Sequence, residues 1–216
     1  MKKSKAILMA LCAVLLVAAS VMGTLAYLTS TDTVTNTFTV GNVAITMDEL
    51  DVDNSTTTAE RDKENAYKLL PGHTFTKDPT IHVASTSEDC YLFVKVVNEI
   101  AAIEAADTET TKTIATQMAA KGWAVVDADN GIYVYGTAAA PTAVSANGDV
   151  VVFENFTISG DVTNTQLAAY DGETIVVTAY AVQKDGFENE TASNIWGATF
   201  GKTTTPEPTT EPTLAT

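Results

Sequence analysis

The sequence predicts an all-β protein built as a single antiparallel β-sandwich with one or two short inserted helices. Seven or eight short segments rich in β-branched and aromatic residues place apolar side chains two positions apart. Gly, Pro and Asn turn signals separate these segments. Strands do not alternate with long helical patterns, which disfavours a parallel sheet.

The first segment is not part of that sandwich. Lys2, Lys3 and Lys5 precede an apolar run at residues 6–22 that carries no charge, the layout of an export signal. Thr24, Leu25 and Ala26 supply small residues for a signal peptidase, which places cleavage between Ala26 and Tyr27. A retained anchor is the alternative, because residues 6–28 are long enough to span a bilayer. Cys12 lies inside the apolar run and follows Leu11, where a lipidation site needs a small residue.

Residues 33–47, "TVTNTFTVGNVAITM", then alternate by two. Val34, Phe38 and Val40 share one face and Thr33, Thr35, Thr37 and Thr39 the other; Val43, Ile45 and Met47 resume the pattern after a bulge or turn at Gly41. Residues 48–66 are polar and read as a surface loop, with a short helical turn at 60–66. Strands follow at 74–77 and 80–84, with Pro79 marking a strand start or an edge. "CYLFVKVV", residues 90–97, is apolar on both faces and therefore central. Residues 111–121 form the convincing helix, stopped by Gly122. "WAVVDADNGIYVYG" is a hairpin turning at Asp129, Asn130 and Gly131. "DVVVFENFTIS" and "ETIVVTAYAVQ" are two more strong strands, separated by a helical turn or loop; residues 192–201 close a small helix. The sandwich domain thus spans 27–202. The Thr/Pro/Glu tail at 203–216 cannot form a core and carries no sorting motif or second apolar span.

Charge excludes one class of partner. The chain carries −15; removing residues 1–26 takes three lysines and no acids, leaving nine basic against 27 acidic residues, or −18. Such a surface repels phosphate backbones, so nucleic acid is not a partner.

Catalytic chemistry finds few candidates. His73 and His82 lie nine apart in a turn and a strand, with no HExxH helix to pair imidazoles on a zinc ion. The GxSxG elbow and phosphate-cradling glycine loops are absent. Cys90, in an apolar run without a neighbouring histidine, reads as a small buried hydrophobe rather than a nucleophile. No cofactor is expected. The one cation candidate is calcium at Asp51, Asp53 and Asp62, the first, third and twelfth positions of an EF-hand-like count. Thr56 replaces the required glycine and Asp62 the bidentate glutamate, so a solvated acidic loop is the simpler reading. The sequon at Asn155 lies in a predicted strand, where a glycan competes with pairing.

Three stretches carry a family resemblance: "GTLAYLTSTDTVTNTFTVGNVAITM" (23–47), "LLPGHTFTKDPTIHV" (69–83) and "CYLFVKVV" (90–97). Together, and most specifically through Pro71-Gly72 followed by Thr76-Lys77-Asp78, they resemble the TasA/camelysin-like family of secreted Gram-positive proteins with a SipW-dependent type of signal peptide. "VVTAYAVQKDGF" (176–187) fits the family's last core strand more loosely. The resemblance implies a jelly-roll sandwich, export through a dedicated signal peptidase, an extracellular or cell-surface location and a role in biofilm-matrix fibres. In such fibres the freed N-terminal segment adds as a strand to the next subunit, so the partner is a further copy of the chain, with Val34, Phe38 and Val40 filling its pockets. The same segment can instead fold back as the first strand of its own sandwich. The metallopeptidase activity attached to the camelysin name does not carry over, since no zinc ligands match. The alternatives to a fibre subunit are a secreted or anchored surface binding module, contacting the membrane only through an uncleaved signal segment, and a peptidase.

Overall fold

The computed structural model describes residues 42–55 and 60–201. The cleavage site at Ala26 and Tyr27, the strand residues Val34, Phe38 and Val40, and the 203–216 tail lie outside the described residues.

The described chain is an all-β antiparallel sandwich. It runs through β1 (Ile45–Leu50), β2 (Arg61–Asp62), β3 (Thr74–Thr76), β4 (Thr80–Val83) and β5 (Cys90–Asn98), then α1 (Ile114–Ala120). The hairpin strands β6 (Trp123–Asp127) and β7 (Ile132–Tyr135) come next, followed by β8 (Ala143–Val144), β9 (Asp149–Val151) and β10 (Asn155–Thr157). The chain closes with α2 (Asn164–Leu167), β11 (Ile175–Gln183) and α3 (Ala192–Thr199). One sheet has the order β2-β1-β4-β9, a second is the pair β10-β3, and the third is β11-β5-β7-β6 with β8 also on β5. The chain changes sheet repeatedly, among other places between β4 and β5, between β8 and β9, between β9 and β10 and between β10 and β11, as a jelly roll does.

Strand β5 organises the interior. Its alternate residues Cys90, Leu92 and Val94 point into the main core with Ile81 and Val83 of β4 and Val150 of β9. Tyr91 and Phe93 point the other way, onto Ile132 and Val134 of β7 and Ala192 and Ile195 of α3. An unbroken apolar run can do this because each face of the strand has its own cover. Helix α3 is that second cover: Trp196 and Phe200 pack on Phe93 at ring-centroid distances of 5.6 and 6.1 Å.

Most strands and helices fall where the pattern places them. Helix α1 is shorter than predicted because Thr113 caps it, its hydroxyl accepting from Thr116 N. Carboxylates of Glu104 and Asp107 accept from Ile114 N and Thr113 N at 2.7 and 2.6 Å, which fixes that start. The β6–β7 hairpin turns as predicted. At Gly131 φ is +67° and an added Cβ would lie 2.2 Å from the Val96 carbonyl oxygen, so only glycine fits.

Three expectations are corrected. "DVVVFENFTIS" is two strands: β9 pairs with β4 and β10 with β3, in different sheets. Between them the adjacent residues Val152 and Phe153 are both fully buried in the same core, whereas successive side chains of a continuous strand face opposite ways. The helical turn expected at 60–66 is instead the short strand β2, pairing Arg61 and Asp62 with Leu50 and Glu49. Among the described residues three short α-helices, rather than one or two, accompany the sheets. Among the described residues, no helix is long and apolar enough to cross a membrane.

Candidate functional site

Strands β1 and β11 are among those that leave part of one backbone edge without a ladder among the described residues. β1 pairs with β4 through residues 45–48 and with β2 only at Glu49 and Leu50. β11 pairs along its whole nine-residue length with β5, and no described strand pairs with its other edge. Between β1 and β11 runs a groove of about 1100 Å³, lined among others by Met47, Glu49, Tyr67, Lys77, Tyr170 and Val177. A narrower space of about 240 Å³ lies between Ile45–Met47 of β1 and Val177–Ala179 of β11.

Burial records the same opening. Cys90, Leu92 and Val94 of β5 are fully buried, yet Val177, Ala179 and Ala181, on the same side of β11, are only partly so. Val43, Ile45 and Met47 beside the other lip are likewise partly buried. Apolar faces and unladdered edges thus converge on one space, an arrangement suited to an added strand.

The wide end of the groove has a polar floor set in aromatic surroundings. The Glu49 carboxylate, only 5% exposed, accepts from Lys77 Nζ at 2.7 Å and from Asn65 Nδ2 at 3.1 Å; the Lys77 side chain is 11% exposed. Tyr67 packs edge-on to Phe156 with centroids 5.3 Å apart, and its hydroxyl donates to the Thr76 carbonyl at 2.9 Å. Burial, with the carboxylates of Glu49, Asp78 and Asp53 nearby, pushes the Tyr67 phenol up and keeps it protonated.

Arg61 straps the loop after β1 onto the sheet. Its guanidinium donates to the Asp48 carboxylate, to Asp78 Oδ2 at 2.8 Å, to the Asp48 and Asp78 carbonyls, and to the Thr80 hydroxyl at 3.0 Å. Behind it, His82 bridges three strands, its Nε2 3.1 Å from Asp48 Oδ1 and its Nδ1 2.7 Å from Asp149 Oδ1. Partial burial works against the charged imidazole, but the hydrogen bonds to Asp149 and Asp48 outweigh it and raise its pKa.

The structure places the other sequence candidates as follows. Asp51 and Asp53 lie in the loop after β1 and Asp62 in β2, and donors of the protein occupy them: Ser55 N lies 3.2 Å from Asp51 Oδ1, Ala66 N 2.6 Å from Asp53 Oδ2, and Ser55 Oγ 3.0 Å from Asp62 Oδ2. The Ala66 and Ser55 bonds hold the Asp53 carboxyl below its ordinary value. Among the described residues no group of three or more His, Cys, Asp or Glu is arranged to hold a metal ion. His73 sits in its turn with Nδ1 3.3 Å from the Pro71 carbonyl oxygen, and shares no partner with His82. Cys90 is fully buried, and burial with Asp89 nearby pushes its thiol up to about 11. A thiol so placed is not a nucleophile at neutral pH.

The sequence pattern singles out none of Glu49, Asn65 and Tyr67, and Lys77 only as part of the Thr76-Lys77-Asp78 stretch, because they lie on separate segments. Comparison with protein-family models, curated proteins and solved structures finds no match for this chain.

Proposed function

We propose that this protein is a secreted, non-enzymatic structural subunit of extracellular biofilm-matrix or surface fibres, assembling by N-terminal strand donation. The observation that carries the reading is the groove between β1 and β11, where half-buried apolar faces meet two strand edges with no described partner. Residues 33–40 have what such a groove accepts: a β-branched strand with Val34, Phe38 and Val40 on one face. An eight-residue strand reaches about 26 Å, close to the length of β11. Each copy would give one strand and receive another, so the contact is head-to-tail and propagates. The export-signal pattern at residues 1–26 supports an extracellular location, with the signal peptidase as a transient partner.

The test is deletion of residues 27–40 from the mature chain, followed by electron microscopy and sedimentation. Loss of filaments with an unchanged far-UV circular dichroism spectrum is expected; filaments that survive the deletion overturn the reading. A second reading, a surface binding module, draws on the wide end of the same groove, whose tyrosines and lysines suit a polar ligand better than a strand does. Monomers that persist in the intact mature chain favour that reading.

A further inference from the structure

The polar floor of the groove holds three side chains whose chemistry fits together in a specific way. Lys77 offers a primary amine, Asn65 a carboxamide, and Glu49 one carboxylate that touches both, with Oε2 2.7 Å from Lys77 Nζ and Oε1 3.1 Å from Asn65 Nδ2. They come from three separate stretches: strand β1, the loop after β2, and the link between β3 and β4. A salt bridge alone needs only two of them.

The Asn65 amide is held in one orientation by the backbone. Val52 N donates to its Oδ1 at 2.8 Å, and its Nδ2 donates to the Leu50 carbonyl at 2.9 Å. These two contacts identify oxygen and nitrogen without ambiguity, since a backbone N–H needs an acceptor and a carbonyl a donor. The carbonyl oxygen therefore faces a backbone donor, while the amide nitrogen faces the glutamate. Water is largely kept from the pair, since the Lys77 and Glu49 side chains are 11% and 5% exposed and Nζ lies 5.9 Å from the centre of the Tyr67 ring.

We propose that Lys77, Asn65 and Glu49 form a self-crosslinking site, at which the Lys77 amine displaces ammonia from the Asn65 carboxamide to leave an isopeptide bond. Lys77 Nζ first passes a proton to the Glu49 carboxylate, which frees the nitrogen lone pair to attack Asn65 Cγ. The carbonyl electron pair moves onto Oδ1, where the Val52 N–H stabilises the oxyanion. Glu49 then delivers a proton to Nδ2 and takes the second proton from Nζ. The Cγ–Nδ2 bond breaks, the carbonyl re-forms, and ammonia leaves, collecting its last proton from Glu49. An ammonium side chain and a carboxamide become a secondary amide and an ammonium ion; no oxidant, metal or cofactor enters, and Glu49 ends as it began. The three residues line the groove, so the ammonia has an exit to solvent. The reaction is a single intramolecular turnover and does not rest on the fibre reading.

Intact mass of the folded, purified wild-type chain, measured after denaturation against its determined N-terminus, tests this directly. The expected mass is about 17 Da below that of the sequence, the loss of one ammonia. Proteolysis then yields a branched peptide joining the segments that carry Asn65 and Lys77. Glu49→Gln, Asn65→Ala and Lys77→Arg each restore the unshifted mass. A folded wild type at the sequence mass overturns the proposal. So does a 17 Da loss that maps to a succinimide at Asn130 or Asn147, both of which precede glycine and shed the same ammonia. The wild-type result decides the matter even where a variant fails to fold.

Discussion

Strands β5 and β11 pair with each other over nine residues and carry similar sequences, yet they end in opposite surroundings. β5 has strands on both edges and a cover on both faces, and its residues 90–94 are all buried. β11 has a described partner on one edge only, and none of its nine residues is fully buried. Side-chain chemistry separates them little, since each carries three valines and one tyrosine. Position in the sheet does. An interior strand has its apolar surface covered on both faces, whereas an edge strand beside a groove leaves part of it uncovered.

The sharpest way to break that contrast is to truncate one side chain on each strand. Phe93→Ala, on β5, removes a fully buried ring packed on Trp196 and Phe200, and is expected to cost about 3–5 kcal/mol in urea unfolding. Val177→Ala, on β11, takes methyl groups from a side chain already partly in water and should cost about 1 kcal/mol or less. Equal losses at the two sites would show that the groove is as well packed as the core.

A smaller effect is expected at the strap that steadies the β1 lip. Arg61→Met leaves the Asp48 and Asp78 carboxylates without their shared cation, but all three side chains are partly exposed and water replaces some of what is lost. The expected destabilisation is about 1 kcal/mol, with faster amide exchange in residues 45–50. Unchanged exchange would mean that β1 is held by β4 alone.

The smallest effect concerns pH. His82 has a raised pKa in the folded protein, so the native state binds that proton more tightly than the unfolded chain. Its contribution is complete below the ordinary imidazole value of about 6.5 and is lost as the pH rises through the raised value. Asp48, held below its ordinary carboxyl value by Arg61 and His82 against the opposing effect of burial, stays ionised throughout that window. Unfolding free energy should therefore fall by less than about 1 kcal/mol across it, and His82→Asn should flatten the slope. A stability that rises with pH over the same range, and keeps rising in His82→Asn, would assign the titration elsewhere.

The fold was largely legible in the sequence because it is written in local signals. Apolar, β-branched runs mark β5 and β11, turn residues mark the β6–β7 hairpin, and a terminal glycine marks the end of α1. Legibility failed where a non-local demand overrode the local one. Val152 and Phe153 read as strand interior, but the chain there leaves one sheet for another and buries both side chains. Residues 60–66 look like a polar turn until Arg61 finds two aspartates and their carbonyls, on β1 and on the link between β3 and β4. The groove was illegible for the same reason: its two lips are about 130 residues apart in the chain, and nothing local announces that they meet. Glu49, Asn65 and Lys77 are ordinary residues singly, and only their convergence on one carboxylate gives them chemistry.

Cys90 gives the sandwich a built-in clock. It is the only thiol in residues 27–202, lies in the most enclosed strand and has no exposed surface. A thiol reagent in solution can reach it only when β5 comes away from its neighbours, an event that takes the main core with it. The rate at which that sulfur is captured under native conditions therefore counts whole-domain openings, undisturbed by movements of the groove, and a fibre that locks its subunits would be visible as a clock that has slowed.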